Sequence, residues 1–353
     1  MALDPALLRA NVRAAAGYVP GEQPTDAVTI KLNTNENPYP PSPRVLAAIA
    51  GVTAEQLRRY PSPSGQAFRV AAAKVHGVEA KCILPFNGGD ELLACAIRAA
   101  AGETDAVAYL EPSYSLYPVL TQMNGSRKIV LSYQIDGTKW ALPAGIGKTG
   151  AKILLIVNPN APSGHLDPLD SLRAAAREFP GLLLIDEAYV DFAPFSALAL
   201  VNEFSNVVIL RTMSKGYSLA GLRFGYAIGN AELLGEIEKV RDSYPVDAVA
   251  IAAATAAMED QAYARGTWEK VKSERTRLAA GLKTLGFAMP ESHANFLLAT
   301  APGGNGKAIY EGLKARHILV RWWDLPRIAD KVRITVGTPE QNDRLLAELK
   351  ALV

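Results

Sequence analysis

"KILLIVNPNAPSGHLDPLDSLRAAAREFPGLLLID", residues 152–186, sets two apolar runs on either side of a helical stretch. Neither run shows the polar alternation of a half-buried strand, so each reads as a strand covered on both faces. Strand, helix and strand in that order argue for a βαβ unit with parallel strands. The pattern extends both ways, through "AVAYL", "SYSLYPVLTQMNG" and "KIVLS" before it and "NVVIL" after it. The expected fold class is α/β, a large domain with a mostly parallel sheet between helices.

Upstream, "PRVLAAIAGV", "GQAFRVAAAKVHG" and "GGDELLACAIRAAAG" read as helices, the second ended by Gly77. Residues 1–43 combine a short amphipathic stretch with the proline-rich "NENPYPPSP", which favours an extended arm. Residues 231–285 read as one long helical stretch. Residues 294–353 hold shorter strands ("NFLLA", "VRITV") and helices, which suits a smaller α+β C-terminal domain. The expected division is an arm over 1–43 that packs with the small domain, a large domain over 44–245 and a small domain over 246–353.

Composition narrows the function classes. The 353 residues are 49% apolar, more than one hydrophobic core usually serves. Thirty-seven basic and 35 acidic residues leave a net charge of +2, with no basic run that would suit nucleic acid. Cys82 and Cys95 form neither a CxxC nor a Cys/His cluster, so no metal site is expected. Two cysteines in a chain of this size fit a reducing compartment. The N-terminus lacks a secretory pattern, and no apolar run reaches membrane-spanning length. A cytoplasmic protein without membrane contacts is expected. "PAGIGKTG", 143–150, lacks the spacing of a phosphate loop and reads as a surface turn.

Ligands of open α/β sheets bind beyond the C-terminal strand ends, and four stretches fall there. In "LLLIDEAYVDF", 182–192, Asp186 ends an apolar strand and needs a charged or hydrogen-bonded partner. It could be a helix cap or ion pair, or it could hold a proton on a heterocyclic nitrogen. In "RTMSKGYSLAGLRFGY", 211–226, Lys215 could be a solvated loop lysine, or an amine made nucleophilic by desolvation or a neighbouring cation. Ser214 and Arg223 beside it suit a phosphate. "NGGDELL", 87–93, offers N–H groups at a helix start, where the dipole favours an anion. "NPNAPSG", 158–164, makes a rigid turn. An amine nucleophile, a pyridinium partner and a phosphate cradle together are what pyridoxal 5′-phosphate (PLP) requires.

In these stretches the chain resembles the fold-type I PLP-dependent aminotransferases of class I/II, and within them the histidinol-phosphate aminotransferases. The resemblance spans nearly the whole length. It runs from "LNTNENPYPPSP" through "RRYPSPSG", "GGDELL", "EPSYSLY", "NPNAPSG", "DEAYVDF" and "TMSKGYSLAGLRFGY" to "ILVRWWD" and "VRITVGTPEQN". It implies that Lys215 carries the cofactor as a Schiff base, that Asp186 pairs with the ring nitrogen and that Tyr189 bonds the 3′-oxygen. It implies Tyr114 stacked on the ring, and Gly89, Asp90, Thr212, Ser214 and Arg223 around the phosphate. Tyr60 would reach the cofactor phosphate of a second subunit, in a homodimer with shared sites. Arg333 would grip the anionic end of the substrate, with Tyr18 and Arg321 at its phosphate. Ala161 stands where the family carries an asparagine that touches the 3′-oxygen, and Asn160 or a water is expected to substitute. Gly89 stands in place of a common serine, and Gly216 in place of a common alanine, a change given little weight.

The implied reaction moves an amino group between histidinol phosphate and 2-oxoglutarate. The same stretches also suit an aromatic amino acid aminotransferase, with Tyr18, Trp322 and Trp323 lining a ring pocket, or a PLP-dependent lyase such as a threonine-phosphate decarboxylase. A non-catalytic PLP-binding regulator would need an appended module, for which 1–43 leaves no room.

Overall fold

The structure, a computed structural model, describes residues 4–353. At its centre lies a sheet of β1 (Ile83–Phe86), β2 (Ala106–Glu111), β3 (Arg127–Ser132), β4 (Ile153–Val157), β5 (Leu182–Asp186), β6 (Val207–Thr212) and β7 (Gly225–Gly229). The spatial order is β1-β7-β6-β5-β4-β2-β3. Strand β7 runs antiparallel to β1 and β6, and the other pairs are parallel. The apolar runs form these strands because both faces are covered. Leu154 and Ile156 of β4 enter one core, while Ile153, Leu155 and Val157 enter the other. Strand β5 divides in the same way, with Leu183 and Ile185 opposite Leu182 and Leu184.

The principal helices are α1 (Pro43–Ala50), α2 (Gln66–His76), α3 (Gly88–Ala100), α4 (Leu116–Asn124), α5 (Leu169–Glu178), α6 (Ala231–Glu238), α7 (Ala248–Glu259), α8 (Gln261–Thr284), α9 (Gly306–Lys314) and α10 (Pro339–Lys350). Helices α1, α2, α5 and α7 share the first core with the sheet, and α3, α4 and α6 share the second. No helix among the described residues is long and apolar enough to cross a membrane.

The long helical stretch expected over 231–285 is three helices. Asp247 caps α7 by accepting from the Ala250 N–H, and Asp260 caps α8 by accepting from that of Tyr263. Alanine-rich α7 packs on α1 and α2, so a helix lying beyond residue 245 belongs to the large core. Helix α8 begins there with Ala264 and ends in a separate core with Leu278 and Leu282. We propose that the boundary between the two units runs along α8.

The smaller unit pairs β8 (Phe296–Thr300) antiparallel with β9 (Lys331–Thr335), under α9, α10 and the end of α8. Part of the N-terminal arm joins it. Ile30–Lys31 pairs in parallel with Ile318–Leu319, and Leu32 enters the small core. Along β9, Val332 and Ile334 face that core, which turns Arg333 and Thr335 the other way.

Leu184 is fully buried at the middle of the sheet. Leu184→Ala should destabilise the large unit by about 2–5 kcal/mol, read from the urea midpoint by circular dichroism.

Candidate active site

A cavity of about 570 Å³ opens at the C-terminal ends of β2, β4, β5 and β6, with Arg333 of β9 in its wall. Asp186, the last residue of β5, is buried there. Its Oδ2 accepts from the Tyr117 hydroxyl at 3.0 Å, and its Oδ1 from the Ala188 N–H at 3.0 Å. Burial pushes its carboxyl up to about 6; the two hydrogen bonds oppose the rise, and Asp90 and Glu187 add to it.

Lys215 lies three residues beyond β6. Asn37 donates to the carbonyls of Lys215 and Gly216 at 3.2 and 3.3 Å, and the Trp268 indole donates to that of Gly216 at 2.7 Å. This fixes the backbone from which the lysine reaches the cavity. Its Nζ donates to the Thr34 carbonyl at 2.9 Å. Burial lowers its amine to about 8, with Arg333 the next cause, against the opposing pull of Glu36. Gly216 carries more weight than its sequence position suggested. A Cβ there would stand 2.0 Å from Oδ2 of buried Asp191, whose other oxygen lies 3.5 Å from Arg211. A side chain at 216 would push into that ion pair.

Beside Lys215, the Thr212 hydroxyl accepts from the Ser214 N–H at 3.1 Å and lies 3.0 Å from the Ser214 hydroxyl. Arg223 has φ 50°, and its guanidinium reaches the start of α3, 3.3 Å from Asp90. Gly88 permits that approach, because a Cβ there would lie 2.9 Å from Nη2 of Arg223. Gly89 and Asp90 line the cavity at the same helix start. Tyr114 donates to Asp90 at 3.1 Å and meets Tyr18 and Tyr117 edge-on.

Two guanidiniums lie across the cavity. Arg333 donates to the Asn33 carbonyl at 3.0 Å, while its buried Nε has no partner among the described residues. Arg321 donates to the carbonyls of Val19 and Pro20, next to Tyr18. Both lie against Trp323, at 5.0 Å for Arg333 and 5.4 Å for Arg321. Trp322 does not line the cavity; its indole donates to Ala329 and its ring packs with Tyr310.

The sequence-based set thus converges, with two exceptions. Tyr60 is exposed, outside the cavity, and stacks on Tyr244 with ring centres 4.4 Å apart. Asn160 does not take the place of the residue absent at Ala161. Its Oδ1 accepts from the N–H and hydroxyl of Ser163, and its Nδ2 donates to the Pro112 carbonyl. The loop therefore consumes the side chain. Sequence reasoning passed over Tyr117 and Asn35. Tyr117 follows Tyr114 by three residues at the start of a helix, and that spacing could have flagged it. Asn35 donates to the Tyr189 hydroxyl at 3.0 Å across 154 positions, a contact without a local signal.

A cofactor with an anionic group, a flat ring and an aldehyde fits these residues. The cradle beside Gly88 and the Lys215 amine of lowered proton affinity are the features that such a group would satisfy.

The family model for Aminotransferase class I and II matches residues 27–349. Histidinol-phosphate aminotransferase 1 of Nostoc sp. (strain PCC 7120) is 50% identical over 347 residues, 98% of each chain. Histidinol-phosphate aminotransferase of Geobacter sp. (strain M21) is 44% identical over 98% of each. The crystal structure of histidinol-phosphate aminotransferase from Sinorhizobium meliloti in complex with pyridoxal-5′-phosphate superposes with a TM-score of 0.84. It is 27% identical and covers 92% of this chain and 90% of that one.

The raised carboxyl of Asp186 implies a pH signature. A group whose pKa rises from about 3.9 unfolded to about 6 folded favours the fold below pH 4 and loses that contribution as pH climbs through 6. Asparagine could keep both bonds, with its oxygen on Ala188 and its amide on Tyr117. In ligand-free protein, Asp186→Asn should therefore gain urea stability over wild type above pH 6. The gain should vanish near pH 4.

Proposed function

The chain belongs to the class I and II aminotransferases, and we propose that it transfers the amino group of histidinol phosphate to 2-oxoglutarate with PLP as cofactor. The observation that carries this reading is the convergence of the Lys215 amine, the Asp186 carboxylate and the Arg223 cradle on one cavity. The 50% identity to a curated relative of that name supports the choice of substrate. PLP, when bound, supplies an electron sink for the charge left when the α-proton of the amino donor is removed.

The protein's own residues do the rest. Thr212, Ser214, Arg223 and the N–H groups at Gly89 and Asp90 would hold the phosphate, and Tyr114 would cover the ring. Asp186 keeps a proton on the ring nitrogen by offering an opposite charge in a place poor in water. Lys215, lowered to about 8, has a much larger neutral fraction at physiological pH than an ordinary lysine. Its amine would anchor the group and, when free, would take up the proton removed from the amino donor. Tyr189 donates to the oxygen beside the reacting carbon. Arg333 and Arg321 bind the substrate's far end. A guanidinium fork accepts phosphate and carboxylate alike, which lets one pocket serve both half-reactions.

The reading extends to assembly. Exposed Tyr60 would serve the phosphate site of a second subunit in a homodimer, and the composition suits the cytoplasm.

Purified protein should use histidinol phosphate with a kcat/KM at least about tenfold above phenylalanine, the worth of a charged hydrogen bond to phosphate. Preference for phenylalanine, or carbon dioxide release in place of amino transfer, would refute the assignment. Lys215→Ala should lose turnover and the near-visible absorbance of bound cofactor together.

A further inference from the structure

Ala161 offers the cavity no polar side chain. It packs in an apolar cluster with Tyr189, Ala294 and Phe296. The hydrogen-bond partner of the Tyr189 hydroxyl among the described residues is Nδ2 of Asn35, at 3.0 Å. Which of these two groups donates is decided outside the cavity.

The backbone N–H of Asn35 points at Oγ1 of Thr335, 3.0 Å away. A backbone N–H can only donate, so the threonine oxygen accepts there and its own hydrogen must go elsewhere. Oδ1 of Asn35, at 3.2 Å, receives it. With Oδ1 committed to Thr335, the other end of the amide faces Tyr189. The reverse orientation would aim two donors at one threonine oxygen and strand a buried hydroxyl hydrogen. Because Nδ2 can only donate, the Tyr189 oxygen accepts, and its hydrogen is left to point into the cavity. The Asn35 backbone is held in place for this. Its carbonyl accepts from Asn295 at 2.9 Å, and its φ of 58° is a left-handed conformation that asparagine tolerates.

We propose that Thr335 and Asn35 form a polarity relay that makes Tyr189 an obligate donor to an anionic oxygen of the bound cofactor, in place of the asparagine absent at 161. The inference rests on the PLP reading above. Asn35 and Thr335 are positioning residues, acting through Tyr189. The relay starts on β9, two residues from Arg333 and on the same strand face. Substrate capture and donor orientation therefore share one strand.

A hydrogen donated to that oxygen stabilises its negative charge and loosens the proton on the basic nitrogen beside it. Loss of the donor should raise the pH midpoint of the bound cofactor's near-visible absorbance. In the PLP-loaded enzyme, Asn35→Ala and Thr335→Val should each raise it by roughly one pH unit, the worth of one hydrogen bond. Thr335→Ser, which keeps the hydroxyl, should leave it in place. In a Tyr189→Phe background, Asn35→Ala should add no further shift. Melting temperatures of the same proteins separate folding defects from the spectral effect, and Thr335→Val keeps the shape of the threonine if Asn35→Ala folds poorly. Unmoved midpoints in both variants at full cofactor content, or an undiminished shift in the phenylalanine background, would overturn the relay alone. A wild-type protein that binds no PLP would overturn the cofactor reading and the relay with it.

Discussion

The Asp186 carboxylate is buried at the end of β5 and receives two hydrogen bonds where a charged group in water would have several more. A buried anion that is under-satisfied is costly unless a cation comes to it. The structure supplies cationic residues at the rim: Arg223 near the phosphate end, Arg333 and Arg321 across the cavity, Lys215 between. Crowding among these cations and removal from water take the proton affinity of Lys215 down, as burial takes that of Asp186 up. Burial thus moves the two groups in opposite directions, the amine down to about 8 and the carboxyl up to about 6. Behind them, Arg211 is buried with Glu187 at 2.8 Å and Asp191 at 3.5 Å. That ionic cluster ties the turn after β5 to the end of strand β6, from which the Lys215 stretch departs.

Features that depend on neighbouring residues were legible in the sequence. Apolar runs without alternation gave the doubly covered strands, and strand ends gave Asp186 and the Lys215 stretch. Arg223 followed from the fit of a guanidinium fork to phosphate, and Gly89 from the chemistry of anions at helix starts. Features that depend on distant packing were not. Helix α7 is largely apolar, so periodicity joined it to its neighbours, and only its seat on α1 and α2 shows that it belongs to the large core. The polarity of the Asn35 amide depends on a threonine 300 positions away. No residue pattern near Asn160 reveals that Ser163 has already claimed its oxygen. Gly216 was undervalued for the same reason, since the atom it must avoid belongs to Asp191.

The two guanidiniums across the cavity share one aromatic ring. Backbone hydrogen bonds at 2.9 and 2.8 Å pair Arg321 with Arg333, and Trp323 lies against both guanidiniums. A carboxylate between them would have neutralised the site. The π-face leaves their charge available to an incoming anion.

The smaller unit is built from both extremities of the polypeptide. Leu32 sits in a core with Ile318, Val332 and Leu345, and its N–H bonds the carbonyl of Leu319. During synthesis the amino-terminal arm leaves the ribosome long before those partners exist. At 5–20 residues per second it waits roughly 15–60 s for them. The sheet of the large unit can close in that interval, but Asn35 cannot meet Thr335, nor can Arg333 arrive, until some 300 further residues have been made. A product halted before residue 331 would thus carry Lys215 and Asp186 without the Arg333 wall of the cavity.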